Sequence, residues 1–168
     1  AERSVLEWAA IEGELFHRGA VQALSRDDAP VTPRLAALVH QGLIRPERPQ
    51  LIGEDGFRFR HLLIRDAAYD SVPKAARAEL HLGFAGWVGK RWPDLVELDE
   101  IVGYHLEQAV RYQAELGGPR DEAVTATAFR HLRAGGVRTA DRDEPTTWHT
   151  RTRPTASSSS VTAGSRPT

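Results

Sequence analysis

The sequence has seven histidines and no cysteine, so its chemistry rests on imidazoles, arginines and carboxylates. Without cysteine, disulfides, thiolate metal sites and cysteine nucleophiles are all excluded. His61 has the most informative neighbours. It follows the alternating run Phe57-Arg58-Phe59-Arg60 and precedes the helical run Leu62-Leu63-Ile64-Arg65-Asp66-Ala67-Ala68-Tyr69. That position is a helix N-terminus, where unpaired backbone N–H groups favour an anion such as phosphate. The competing reading is that His61 only packs against or caps its helix.

Arg45, Arg48, Arg58 and Arg60 surround the same region and are candidates for interdomain or nucleic-acid contacts. Arg65 and Asp66 are consecutive and should not face each other on a helix, so both are expected in solvent or against a neighbouring domain. Tyr69, His81 and His105 fall on apolar stripes and read as core residues with satisfied polar atoms. Gly83 to Lys90 superficially resembles a phosphate loop. Its glycines are one residue too far apart, Arg91 stands where Ser or Thr would hold magnesium, and it lies inside an amphipathic helix. No His-Glu-x-x-His pattern occurs, so no metal site is expected.

Position and periodicity supply the elements that hold these residues. Val5, Leu6, Ala9 and Ala10 recur at helical spacing before Gly13, and a second short helix is expected from about His17 to Leu24. A third has Thr32 to cap it, Pro33 in its first position and Gly42 to close it. Leu43 to Pro46, a proline-rich connection and Gly53 to Arg60 read as a β-hairpin. Three helices and a hairpin wing make a winged helix over residues 1–72.

A helix from about His61 is interrupted at Pro73, which opens another over Lys74 to Trp92 with Leu80, Phe84, Trp87 and Val88 on one face. Leu98, Ile101, Val102, His105, Ala109, Tyr112 and Leu116 mark the next helix, which Gly117-Gly118-Pro119 stops. A helix from about Asp121 then completes an antiparallel pair resembling one helical repeat, so residues 73–142 read as a helical linker and the start of a repeat array. The serine-, threonine- and proline-rich residues 143–168 read as a disordered tail. The fold class is therefore mainly α.

The net charge of −1 exerts no global pull toward nucleic acid, and no apolar run can span a bilayer. A cytoplasmic protein without a membrane partner is expected. The start without methionine suggests a piece of a longer product.

The runs Phe57 to Tyr69, Ser71-Val72-Pro73-Lys74 with Arg77 and Leu80-His81, and Ile101 to Ala109 resemble the winged-helix segment of bacterial STAND-type (AAA/NB-ARC-like) signalling ATPases. These occur in adenylate/guanylate cyclase and transcription-regulator fusions. The resemblance covers roughly residues 1 to 136. It implies a non-catalytic regulatory module between an upstream P-loop NTPase domain and downstream tetratricopeptide-like (TPR-like) repeats of the same polypeptide. ATP or ADP with Mg would bind the parent protein, and no cofactor would bind this segment alone. In related switch proteins a Met-His-Asp motif occupies this strand-to-helix position, and its histidine contacts the β-phosphate of ADP. The match carries that role onto His61 only, because Leu62 stands in place of the aspartate.

The alternative is a DNA-binding winged-helix regulator using the basic residues of the wing. Glu47, Glu54 and Asp55 dilute that charge, and the third helix offers only Arg34, His40 and Gln41 as readers. DNA is therefore not the expected partner.

Overall fold

The computed structural model describes residues 2–25, 29–117 and 121–140, with side chains to residue 135. Among them are α1 (Glu2–Glu12), β1 (Leu15–His17), α2 (Arg18–Leu24), α3 (Thr32–His40), β2 (Ile44–Glu47) and β3 (Gly56–Phe59). They continue with α4 (Leu62–Ser71), α5 (Lys74–Arg91), α6 (Leu98–Glu115) and α7 (Glu122–Ala140). The protein is mainly helical, with one small antiparallel sheet in the order β1-β3-β2. Among the described residues no helix is long and apolar enough to cross a membrane. The expected tail, 143–168, lies outside the described residues.

Two local expectations are corrected. His17 does not lie in the second helix, because Leu15–His17 forms a strand on β3, with Phe16 opposite Phe57 and Leu15 opposite Arg58. Burial of all three residues explains the choice, since a fully buried extended segment finds its backbone partners in a sheet. Thr32 does not cap α3. The N-cap is Val31, whose backbone N–H is bound instead by the Gln22 side-chain oxygen at 3.0 Å.

The punctuation works as the residue types require. Gly42 and Gly117 sit just beyond α3 and α6 at φ +72° and +68°, a left-handed conformation that glycine adopts without a Cβ penalty. The Asp121 carboxylate accepts the backbone N–H groups of Ala123 and Val124 at 3.0 and 3.1 Å, which fixes the start of α7.

A core distinct from the small Ala85, Val102, Leu106 and Ala128 cluster joins the amino-terminal helices, the sheet and the helices that follow. It contains Val5 and Ile11 of α1, Phe16 of β1, Leu35 and Leu38 of α3, Phe59 of β3 and Tyr69 of α4, and it continues through Phe84 and Val88 of α5 to Tyr112 of α6. No gap in packing falls at Pro73. The Phe16 ring stacks on Phe57 at 5.8 Å and tilts against Phe59 at 5.2 Å, so the alternate residues of β3 share one aromatic face with β1.

Helix α6 packs between α5 and α7 and runs antiparallel to both. Its start meets the middle of α7 at Asp99 and His131, 2.6 Å apart, and its end meets the start of α5 at Glu115 and Lys74, 2.8 Å apart. Two neighbours explain why α6 buries Glu100, Gly103, Leu106 and Gln108 as well as the Val102, His105, Ala109 and Tyr112 stripe.

Candidate functional site

The strand-to-helix junction is built as its residues dictate. Extended His61, at φ −134° and ψ 134°, is the N-cap of α4, and its imidazole makes no capping bond. His61 is exposed, beside the exposed side chains of Leu62 and Leu63, the latter 80% accessible. The packing alternative for His61 therefore has no support within the described chain. Uncovered leucines next to an uncommitted imidazole form a patch suited to contact rather than to solvent alone.

The arginines divide. Arg60 is exposed at the same junction. Arg58 is bound on both sides, to Glu14 at 2.8 Å and to Glu47 at 3.0 Å, and Arg45 reaches the same Glu47 at 2.9 Å. Burial alone would lower the pKa of Arg58, but the Glu14 and Glu47 carboxylates outweigh it and leave the pKa raised. Glu47 is held below its ordinary value by the Arg48 backbone N–H first and then by Arg58. Much of the positive charge on β2 and β3 is thus taken up by neighbouring carboxylates.

Arg65 is the clearest correction among the candidate residues. It is not a surface contact, for its side chain is only 1% exposed, and it does meet its sequence neighbour, Nη1 donating to Asp66 at 2.9 Å. The expectation rested on Cα directions around the helix, which do not limit a side chain with several rotatable bonds. The buried guanidinium also lies 5.1 Å from the centre of the Tyr69 ring, a cation–π contact that offsets part of its desolvation.

Behind the junction lies a buried polar chain. The Tyr69 hydroxyl lies 2.9 Å from that of Tyr112 and 3.0 Å from His81 Nε2, and His81 Nδ1 lies 2.8 Å from His105 Nδ1. Arg111 donates to the Tyr112 oxygen at 3.0 Å and Arg77 at 3.5 Å, while Arg77 also stacks 4.6 Å over Tyr69. Burial drives the pKa of His81 well below 6.5, helped by His105 and the nearby arginines, and burial lowers that of His105 to about 3. Burial and the Tyr112 contact raise Tyr69. For Tyr112 burial acts upward, but contacts with Tyr69, Arg77 and Arg111 prevail and lower it. The expectation that Tyr69, His81 and His105 are satisfied core residues agrees with this geometry.

A third buried histidine, His17, was not singled out in the sequence. His17 Nδ1 lies 2.5 Å from Glu12 Oε1, and its Nε2 accepts the backbone N–H groups of Gln50 and Leu51 at 3.1 and 3.3 Å. Because Nε2 accepts, the ring proton sits on Nδ1 and points at the carboxylate. Glu54 fastens the same loop from the other side, its carboxylate accepting the Gly19 N–H at 2.9 Å. Nothing in the spacing of Glu12 and His17 announces a clasp whose partners lie more than thirty residues on.

The Gly83 to Lys90 segment lies inside α5 and forms no loop. Among the described residues no three His, Cys, Asp or Glu side chains converge as a metal-binding group. No protein-family model matches the chain, and no curated protein or solved structure is similar to it.

Proposed function

We propose that the chain is a non-catalytic regulatory module of a STAND-type signal-transduction ATPase. In this reading α1–α4 and the three-stranded sheet are a winged helix, and α5–α7 are the linker and first helices of a TPR-like array. An upstream P-loop domain would sit against the junction of β3 and α4. His61 would hydrogen-bond the phosphate of ADP held by that domain, with Mg accompanying ATP or ADP there. The observation that carries the reading is His61 itself, exposed at the N-terminus of a ten-residue helix, without a partner for its ring among the described residues and beside exposed Leu62 and Leu63.

The binding difference required is modest. A hydrogen bond from a charged or polar group to phosphate contributes about 1.5–3 kcal/mol, enough to shift a two-state population by ten-fold or more. Such a contact acts as a switch only if it is made in one state and not in the other.

The rival reading, a DNA-binding winged helix, is disfavoured by the carboxylates that already hold Arg45 and Arg58. Reaching phosphates would mean giving up those pairs and bringing the Glu14 and Glu47 carboxylates beside the DNA backbone. The test is ADP affinity of the longer protein carrying the P-loop domain, compared with its His61→Ala variant. Weakening of about ten-fold, or ~1.4 kcal/mol, supports the phosphate contact. Unchanged affinity in a folded variant removes it.

A further inference from the structure

The buried chain Tyr112–Tyr69–His81–His105 crosses three helices: Tyr69 belongs to α4, His81 to α5, and His105 and Tyr112 to α6. Each of its three contacts needs one proton, and each hydroxyl or neutral imidazole has a single proton to give. Because a Tyr69 that accepted from both neighbours would leave its own buried O–H unpaired, the donors all point the same way along the chain. If His81 donates from Nε2 to Tyr69, then Tyr69 donates to Tyr112, and His105 must donate from Nδ1 to His81. If Tyr112 donates to Tyr69, the other two contacts reverse as well, and the proton of His105 moves to Nε2.

The surroundings choose between the two. The guanidinium groups of Arg111 and Arg77 both donate to the Tyr112 oxygen and so occupy its acceptor capacity, which leaves its O–H to donate inward. Reversing the order would ask that oxygen to accept from Tyr69 as well.

We infer that these four side chains form an ordered polar clasp in which protons point from Tyr112 through Tyr69 and His81 to His105, so that α4, α5 and α6 open together. Sliding α4 against the α5–α6 pair breaks the chain at Tyr69, leaving the buried His81 Nε2 without its donor and the Tyr112 O–H without its acceptor, although Arg77 and Arg111 still donate to the Tyr112 oxygen. The clasp makes the position of α4, which begins beside His61, follow that of the helices beyond Pro73. It stands without any nucleotide role for His61, because its chemistry lies wholly within the described core.

The test uses the 168-residue chain labelled with 15N, with histidine ring nitrogens and backbone amide exchange read by NMR. The expected tautomers are Nδ1–H for His81 and Nε2–H for His105. Amides of α4 and α6 should exchange at a common rate-limiting opening in the wild type. In Tyr69→Phe they should separate, their opening equilibria differing by ten-fold or more. Val5→Ala, which loosens the core without touching the clasp, should weaken both together. Tyr112→Phe removes the outer donor, keeps Tyr69 as donor to His81, and should preserve both histidine tautomers; it serves also if Tyr69→Phe does not fold. A proton on Nδ1 of His105 overturns the inferred order, as does a change of tautomer in Tyr112→Phe. Separate opening of α4 and α6 in the wild type, or common opening retained in Tyr69→Phe, overturns the clasp.

Discussion

His81 Nδ1 and His105 Nδ1 face each other at 2.8 Å in a core that water does not reach. Two nitrogens at that distance share one proton, and a second proton between them would place N–H against N–H beside Arg65, Arg77 and Arg111. Burial first, with His105 and the arginines adding to it for His81, lowers both pKa values and keeps the pair neutral near pH 7 in the folded protein.

Neutral burial gives a pH dependence of defined sign. Both histidines have folded pKa values below 6.5, that of His105 at about 3, so the unfolded chain binds protons first as pH falls. Their contribution is intact above about pH 6.5 and is lost below it. Between about pH 7.5 and about pH 5 His105 should cost about 2 kcal/mol of unfolding free energy, and His81 adds to that loss. Urea unfolding across that range measures the loss, and His105→Gln should lower the slope. A flat profile would contradict neutral burial.

The loop between β2 and β3 should depend on His17. His17→Phe keeps an aromatic ring but removes the acceptor of the Gln50 and Leu51 N–H groups and the donor to Glu12. The expected cost is about 1–3 kcal/mol, with exchange at those two amides accelerated ahead of the α-helical core. Protection unchanged at both amides would assign the loop's order to Glu54 and the Arg18–Asp55 pair instead.

Much of the helical framework could be read from single residues. Pro33, Gly42, Pro73 and Gly117 end or start elements where the structure does, and the Val102–His105–Ala109–Tyr112 stripe is the core face of α6. Strand β1 was hidden because three residues are too few to display an alternation, and because its partner β3 lies about forty residues along the chain. The burial of Arg65 was hidden for a related reason. An arginine reads as a surface residue until an aromatic ring such as Tyr69 is known to lie beneath it. The exposed setting of His61 followed from its place between strand and helix, whereas the Glu12–His17 clasp depends on a loop whose path no local pattern specifies.

The close approach of α6 and α7 should be sensitive to Gly103. A Cβ there would lie 3.0 Å from the Leu132 backbone nitrogen and 3.0 Å from its Cδ2. The backbone atom cannot rotate away, so Gly103→Ala must move the helices apart. We expect a loss of about 1–3 kcal/mol, with amide protection lowered in α7 more than in α1. Equal protection in the variant would show that α7 docks without that contact.

The proposed reading places a nucleotide-holding domain over the junction led by His61. Amide hydrogen exchange at Leu62, Leu63 and Ile64, with and without saturating ADP, tests it in a longer protein that carries a P-loop domain ahead of this chain. Exchange at these amides should slow by about ten-fold or more with ADP, corresponding to ~1.4 kcal/mol of added protection, and His61→Ala should remove most of that effect. Identical exchange with and without ADP, in a protein shown to bind it, would contradict the claim and leave the exposed His61–Leu63 patch to some other partner.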